Sequence, residues 1–420
     1  MSNGSLHVKI LLDKPHHVYC GSGEPVTGRV SLRYVPAYDS RGMPQATELF
    51  GPLRVFMLFK GRIKTKILEG QYIYRSRVEL FSVPSTAHDG PIQIPAQATR
   101  FVPFAVRFPD ATARTSYPEF EPHDDRFDVS PSQQLPPTCR DDKISGFVEY
   151  WVDVRVTVPG LHVAACAPEE GAGPRVLYEP PGPLAPPAPK AHQVKGSLFV
   201  QNVHLLPEEE RPRGFRQKVR ASFSSSSDLP TATFSWSLTA PTQMSRGDPI
   251  ELAVCVKPNP ARSTAPITPD VRLVRCAVSI TAFSAMRSEI NLMHSHESTH
   301  SVDHVCAVPS LVNSAPFSAD ADWTINIVAH PPKNLPSSFK SVNIAQFYRM
   351  KVHLKFLLAG ETFEYVRPIS LAIFPPVTSL LPAPDALPVV EDGGEEPVLP
   401  SYGEATDPLP PPEYHVATSS

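Results

Sequence analysis

The sequence predicts an all-β protein built of antiparallel β-sandwiches, and three observations support this fold class. The 50 prolines of the 420-residue chain are spread along its whole length, and each proline inside a helix costs about 3 kcal/mol. Segments of alternating apolar and polar residues recur between clusters of Gly, Pro, Asn and Asp. No long stretch keeps the 3.6-residue apolar period of a helix. Strands that follow one another through turns, without helices to cover a parallel sheet, indicate antiparallel sandwiches.

The clearest alternation lies in ISGFVEYWVDVRVTV, which begins at Ile144. Tyr150 and Val152 fall on one parity of this segment, whereas Glu149 and Asp153 fall on the other. We therefore expect a long half-buried strand with its apolar residues inward and its charged residues outward. The other segments that predict strands are, in chain order, 6–12, 26–34, 53–59, 72–83, 234–238, 250–256, 271–283, 323–328, 344–358 and 363–374.

The two halves of the chain resemble each other. GSGEPVTGRVSL, from Gly21, aligns with SRGDPIELAVCV, from Ser245. QLPPTC, ahead of Tyr150, aligns with NLPSSF, ahead of Tyr348. Two matches in the same order predict one sandwich that is used twice.

Composition divides the chain into four segments. Residues 1–206 predict a first sandwich, which includes a proline-rich surface loop at 167–191 and the strand-like GSLFVQNVHLL at its end. A basic and serine-rich linker follows at 207–231, and a second sandwich at 232–376. The segment 377–420 has eight carboxylates and no lysine or arginine. Low hydrophobicity and charge of one sign predict a disordered tail there.

Charge and cysteine content narrow the function classes. The formal net charge of −3 gives no reason to expect nucleic-acid binding. The six cysteines are far apart and form no CxxC motif, which is typical of reduced, mostly buried thiols in a cytosolic protein. The first residues show no signal-peptide pattern, and no run of about 18 apolar residues occurs. We therefore expect a cytoplasmic protein without a leader or a membrane span.

Five segments carry a resemblance to the arrestin family. They are LHVKILLDKPHHVYCGSGEPVTGRVSL, LRVFMLFKGRIKTKI, the LPPTC unit with the strand after it, RGDPIELAVCVKP and LPSSFKSVNIAQFYRMKVHLKF. Together they span most of residues 6–375, and they resemble in particular the α-arrestins of fungal type, the arrestin-related trafficking adaptors. The resemblance implies two immunoglobulin-like β-sandwich domains of the arrestin fold. It also implies an adaptor rather than an enzyme, with no cofactor.

Two short motifs lie near the end of the sequence, PPxY and the related LPxY. In a polyproline II helix the first residue of such a motif and its tyrosine lie on the same side. A WW domain has an aromatic groove for the proline and a pocket for the tyrosine ring. The eight residues between the motifs span roughly 15 Å, so tandem WW domains could gain avidity from both. The residues of these motifs are Leu399, Pro400, Tyr402, Pro411, Pro412 and Tyr414.

In α-arrestins this arrangement recruits HECT-type ubiquitin ligases of the Nedd4 class. The resemblance therefore implies an adaptor that links plasma-membrane transporters or receptors, from their cytosolic face, to a WW-domain HECT ubiquitin ligase for ubiquitination and endocytosis. Such a protein would be cytoplasmic and recruited peripherally to the plasma membrane or endosomes. The alternatives are an arrestin-like scaffold in ambient-pH signalling or endosomal sorting, a metal-dependent β-sandwich enzyme, and an adhesion sandwich, which would require secretion.

The linker carries a basic cluster with five positive charges in ten residues. This cluster is a candidate patch for an anionic membrane surface or for an acidic stretch of a client. The simpler interpretation is a solvated linker whose cations pair with the three glutamates before them. The cluster consists of Arg211, Arg213, Arg216, Lys218 and Arg220.

Lysines near the predicted loop and linker are candidate ubiquitin acceptors. These are Lys190, Lys195 and Lys218. The sequence does not choose among them, since an exposed lysine most often serves only solubility.

A histidine-rich run, MHSHESTHSVDHVC, has the side chains that zinc prefers. It contains His294, His296, His300, His304 and Cys306. No acidic general base lies at a recognisable spacing, and the run is typical of a loop between strands, so we expect no metal. The sequence also lacks GxSxG, Walker, GxGxxG and HExxH motifs, and we expect no enzymatic activity.

Overall fold

The computed structural model describes residues 4–113, 124–141, 146–159, 162–164, 174–183, 190–211, 229–288, 297–308 and 323–376. These residues all belong to one compact unit, Met1–Thr378. Within the described ranges the chain forms twenty β-strands and two short 3-10 turns, Val203–Leu205 and Pro260–Arg262, with no α-helix. Nothing helical in this part of the chain has the length and apolarity needed to span a bilayer. The all-β prediction is thus confirmed.

The first half forms two sheets. One has four strands in the order β6-β3-β1-β9, and the other has six, in the order β2-β10-β8-β4-β5 with β7 paired to β8. The strands are β1 (Gly4–Leu12), β2 (Val18–Cys20), β3 (Val26–Pro36), β4 (Glu48–Glu69), β5 (Tyr72–Pro95), β6 (Thr99–Val106), β7 (Cys139–Asp141), β8 (Gly146–Thr157), β9 (His162–Ala164) and β10 (Arg175–Glu179).

The second half forms two further sheets of the same sizes. Their orders are β11-β12-β14-β17 and β13-β20-β19-β15-β16, with β18 paired to β19. The strands are β11 (Ala191–Gln201), β12 (Thr231–Pro241), β13 (Gln243–Ser245), β14 (Ile250–Pro258), β15 (Val271–Arg287), β16 (Glu297–Val305), β17 (Trp323–Ala329), β18 (Phe339–Lys340), β19 (Ile344–Leu358) and β20 (Glu361–Phe374).

Each half has its own apolar core, because alternate residues of its strands point inward. On β3, for example, every second residue from Val26 to Pro36 is buried. The first core draws side chains from both sheets of the first half, and the second core from both sheets of the second half. Two residues of the second half, Met286 and Ile344, also pack into the first core. The first core therefore extends to residues of the second half, whereas the second core is a separate cluster.

The internal repeat predicted from sequence is confirmed in side-chain detail. β8 and β19 occupy equivalent positions in the two six-stranded sheets. The buried Tyr150 on β8 donates a hydrogen bond to the carbonyl of Pro136 over 2.6 Å. The buried Tyr348 on β19 donates to the carbonyl of Pro336 over the same distance. Burial raises the pKa of both hydroxyls, so both remain neutral donors.

The strand in GSLFVQNVHLL belongs to the second half, which corrects its assignment to residues 1–206. This strand, β11, pairs antiparallel with β12 along its full length, from Ala191 opposite Pro241 to Gln201 opposite Thr231. Its buried residues Leu198 and Val200 lie in the second core. Alternation predicts the strand but does not specify its partner.

The predicted surface loop at 167–191 contains a core strand. β10 pairs with both β2 and β8, and its Val176 and Tyr178 are buried in the first core. The expectation of a continuous loop was therefore wrong for Arg175–Glu179. The prolines lie on either side of this five-residue strand, where they do not interrupt the ladder.

The predicted inward face of β8 is correct, but its outward face is not exposed throughout. Val148, Tyr150 and Val152 are buried as expected. Glu149 is also buried, with 5% of its surface exposed. Its carboxylate accepts hydrogen bonds from the buried Arg62 of β4. A buried carboxylate is retained because this partner compensates its charge.

β4 and β5 form a hairpin much longer than the predicted strands 53–59 and 72–83. The two strands stay in register from Glu48 opposite Pro95 to Glu69 opposite Tyr72, with two irregularities. The connection is two residues long and begins with Gly70, whose φ is +59°. A positive φ at the first turn position suits glycine and gives the backbone twist that a two-residue hairpin needs.

Candidate functional site

The two halves meet in a seam of buried polar groups between the β4–β5 hairpin and the strands β15 and β19. Met286 begins the seam, and its sulfur occupies the space in which a side chain at residue 146 would lie. Gly146 is therefore required by close packing rather than by a turn. This contact brings the ends of β8 and β15 together.

Arg287 is the central residue of the seam. Only 2% of its surface is exposed, and its Nε donates to the carbonyl of Val342 over 2.6 Å. The guanidinium lies 4.6 Å from the ring centroid of Phe127, which is within the range of a cation–π contact. Its own backbone carbonyl accepts a hydrogen bond from Thr65 Oγ1 over 3.0 Å. Arg287 thus joins three segments of the chain.

Asn343 fixes the same hairpin from the second half. It is fully buried, and its Nδ2 lies 3.3 Å from Ser76 Oγ and 3.5 Å from Thr65 Oγ1. Thr65 and Ser76 are themselves buried and lie opposite each other on β4 and β5. The Nδ2 contacts help to fix the relative position of the two halves, whereas Asn343 Oδ1 is buried without a hydrogen-bond partner among the described residues.

A second polar contact joins the end of β10 to the second half. Glu179 Oε2 pairs with Arg246 Nη2 over 2.7 Å, and its Oε1 accepts from Ser337 Oγ over 3.0 Å. Glu179 is 8% exposed. The carboxylate is therefore held on both oxygens by residues from the other half.

A third contact lies at the more exposed rim of the seam. Arg126 pairs with Asp124 over 2.7 Å and with Glu297 of β16. Its hydrogen bonds hold the pKa of the Asp124 carboxyl below its ordinary value. The Lys340 ammonium donates to the backbone carbonyl of Asp125. The segment 124–127 is thus attached to the second half by charged groups.

A cleft of about 790 Å³ lies beside this rim. Its walls come from the segment at Asp125, from β18 and from β19 and β20. Phe347 on β19 stacks on Phe283 of β15 with ring centroids 5.1 Å apart, and Arg349 lies over the Phe283 ring. The cleft therefore combines an aromatic surface with the cationic groups Arg349 and Lys340.

The sequence-predicted sites fall partly on described residues. Lys190 and Lys195 are exposed, as expected. Arg211 is also exposed, but its guanidinium donates to the carbonyls of His204 and Leu206 over 3.0 and 2.9 Å, so it is fixed to the preceding turn. Several predicted residues lie outside the described part of the chain, namely Arg213, Arg216, Lys218, Arg220, His294, His296, Leu399, Pro400, Tyr402, Pro411, Pro412 and Tyr414.

The histidine run does not form a loop throughout, because residues 297–305 form β16. His300 and His304 lie on one face of this strand, and four residues of strand separate them by roughly 13 Å. One ion does not reach both at that separation. Burial raises the pKa of Cys306 to about 11, which keeps its thiol protonated. Among the residues that the structure describes, no three potential ligands gather into a metal site.

The seam was not predicted from the sequence, although several of its residues lie in motifs singled out there. Arg246 belongs to SRGDPIELAVCV, and Asn343 precedes Ile344 in the LPSSFKSVNIAQFYRM segment. No local pattern marks Arg287 or Glu179 as buried. In a comparison with known proteins, no family model and no curated protein matches this chain. Membership of the arrestin family stays a prediction from the motifs.

Proposed function

We propose that this protein is an arrestin-type adaptor. In this proposal its β-sandwich body binds the cytosolic side of a membrane transporter or receptor, and its PPxY and LPxY motifs bind a WW-domain HECT ubiquitin ligase. The ligase makes the isopeptide bond, so the adaptor contributes binding and proximity. Recruitment to the plasma membrane or endosomes is part of the same proposal.

The observation that carries the proposal is the pair of tyrosine motifs after the last strand. β20 ends at Phe374, and the sequence beyond it has eight carboxylates, no lysine or arginine, and both motifs. Polyproline II segments lose little entropy on docking because their backbone conformation is largely preformed. Two motifs in one segment support bivalent capture of tandem WW domains.

The body supports the client-binding part of the proposal. The seam holds the two halves together through buried polar contacts, which favours a body that presents one fixed surface. The cleft beside the seam has aromatic side chains and the cationic groups of Arg349 and Lys340. An acidic cytosolic segment of a client would be complementary to it in charge.

Capture of a tandem WW fragment by the full-length protein tests ligase binding. We expect Tyr414→Ala to weaken binding about 10-fold and Tyr402→Ala with Tyr414→Ala to weaken it at least about 100-fold, since avidity is lost with the second motif. Tyr38→Ala is the matched control, because Tyr38 is an exposed tyrosine of the body. Isothermal titration calorimetry measures all three. Undiminished capture by the double variant would disprove the role of the motifs.

Proximity labelling in cells tests the adaptor role as a whole. We expect the intact protein to label a ligase together with a membrane protein. Removal of residues 377–420 should abolish labelling of the ligase and leave that of the membrane protein. A membrane protein whose ubiquitination is unchanged in the Tyr402→Ala, Tyr414→Ala variant would contradict the proposal.

A further inference from the structure

The tip of the β4–β5 hairpin carries an unusual arrangement of like charges. Lys66 lies directly opposite Arg75, and Lys64 lies directly opposite Arg77. Alternation along the strands places all four cations on the same face. Like charges directly opposite each other destabilise a sheet. The Lys64 ammonium also lies over the Phe147 ring of β8, 5.7 Å from its centroid, so Lys64 contributes to packing as well as to the positive surface of the hairpin.

Exposed apolar residues lie beyond these cations. Leu68 and Ile73 form the next pair on the same face, and they are 64% and 49% exposed. Tyr72, beside the turn, is 70% exposed. The tip thus presents three exposed apolar side chains and one carboxylate, that of Glu69 opposite Tyr72, and two rows of positive charge follow. This order matches the change from acyl chains to anionic headgroups across a membrane surface.

The opposite face of the hairpin is fixed to the second half. Thr65 and Ser76 are buried there and are held by the Arg287 carbonyl and the Asn343 side chain. Glu69 lies four residues beyond Thr65 on β4, so the tip extends roughly 13 Å beyond this attachment. An interfacial segment enters the bilayer by about 5–10 Å, so the tip is long enough to insert while its base stays fixed.

We propose that the tip of the β4–β5 hairpin, Lys64 to Arg77, docks on an anionic lipid bilayer. Leu68, Tyr72 and Ile73 enter the headgroup and acyl boundary, and the four cations contact the lipid headgroups. This surface is separate from the basic cluster of the linker, and it does not depend on ligase capture. An acidic peptide would be complementary to the cations but would leave the apolar tip unexplained.

Cosedimentation of the full-length protein with vesicles tests this proposal. We expect binding to phosphatidylcholine vesicles that contain phosphatidylserine and little binding to phosphatidylcholine alone. Each cation near such a surface contributes about fivefold in affinity, so Lys66→Glu with Arg75→Glu should weaken binding at least about 25-fold. Leu68→Ser with Ile73→Ser should weaken it about 10-fold or more, because insertion buries these side chains.

A matched control separates the hairpin from net charge. Arg272→Glu with Arg275→Glu makes the same charge change on another strand, since both side chains are exposed on β15. We expect this variant to keep its affinity within about threefold, because its charges lie away from the bilayer and are screened. Because the substituted hairpin residues are at least partly exposed, thermal unfolding should show that all variants remain folded.

Two further measurements make the result decisive. Tyr72→Trp should show fluorescence quenching by brominated lipids in the anionic vesicles, and binding without quenching would overturn insertion of the tip.

Arg213→Glu with Arg216→Glu tests the linker. Loss of vesicle binding in that variant, with full binding by the hairpin variants, would assign lipid contact to residues 207–231 and overturn the proposal. Binding to an acidic peptide but to no vesicle would also overturn it.

Discussion

β8 and β19 occupy equivalent positions in the two halves, yet their outward faces differ in chemistry. When β8 and β19 are aligned by their equivalent tyrosines, Glu149 corresponds to Phe347, and Trp151 corresponds to Arg349. Glu149 is buried, whereas Arg349 is exposed. The repeat therefore keeps the inward face and the backbone, and it changes the charge of the outward face.

An arginine lies over an aromatic ring of the neighbouring strand in both halves. The strand that carries the arginine in one half is equivalent to the strand that carries the ring in the other. In the first half the cation is Arg62 of β4, which lies 4.5 Å from the ring centroid of Trp151 on β8. In the second half the cation is Arg349 of β19, which lies 5.4 Å from the ring centroid of Phe283 on β15. The first contact is buried and requires Glu149 to compensate its charge, whereas water solvates the second.

The largest expected effect comes from removing the charge that compensates Arg62. We expect Glu149→Leu to lower the free energy of unfolding by about 3–5 kcal/mol, because it leaves a buried guanidinium without its main partner. Adding Arg62→Met should restore most of this loss. Urea denaturation measures both. Arg349→Met in the second half is the control and should cost less than about 1 kcal/mol. If Glu149→Leu and Arg349→Met lowered the free energy of unfolding equally, burial would not explain the difference between the outward faces of β8 and β19.

A smaller effect is expected where the inward faces of the two repeats differ. Gly61 lies opposite Tyr150, and Ala282 lies opposite Tyr348. A Cβ at residue 61 would lie 2.6 Å from the Tyr150 ring. We expect Gly61→Ala to destabilise the fold by about 1–3 kcal/mol through overpacking. The reciprocal Ala282→Gly should cost about 0.5–1 kcal/mol, the usual penalty of glycine in a strand. If Gly61→Ala left the free energy of unfolding unchanged, the first core would have as much space beside Tyr150 as the second core has beside Tyr348.

The smallest expected effect is a pH dependence that arises in the second core. Burial raises the pKa of Cys276 from 9.0 to about 11. The folded state therefore holds this proton more tightly than the unfolded chain does. The stabilisation is fully present below the unfolded value of 9.0 and is lost as the pH rises through the folded value. Between about pH 8 and pH 10 we expect a loss of about 1 kcal/mol from this thiol. Urea denaturation under reducing conditions should show a weaker pH dependence in Cys276→Ala, and an unchanged one would contradict the assignment.

Local pattern was sufficient to predict most of the long strands but not their partners. The alternation in β1, β3, β8, β14 and β19 follows from which side chains face a core, so the sequence carries it directly. The pairing of β11 with β12 was missed because it depends on which strand lies beside it. β10 was missed because five residues between prolines give too short a pattern. The burial of Glu149 depends on Arg62, which is 87 residues away in the chain.

The polar contacts of the seam were even harder to predict from the sequence than the strand partners. Asn343 and Ser76, which meet in the seam, are 267 residues apart, and Glu179 and Arg246 are 67 residues apart. A buried polar residue is stable only with a partner, and nothing near it in sequence reveals that partner. The tyrosine motifs, in contrast, consist of adjacent residues and can be found in the sequence alone.

The sequence by itself determined the all-β class, the twofold repeat and the two tyrosine motifs, because each depends on residues that are close together in the chain. Only the tertiary structure decided which half holds β11, which charged residues are buried in the seam, and that four cations align behind the apolar tip of one hairpin. Those features depend on register and on contacts between distant segments, where the free energy of burying a polar group is set by the partner that folding supplies.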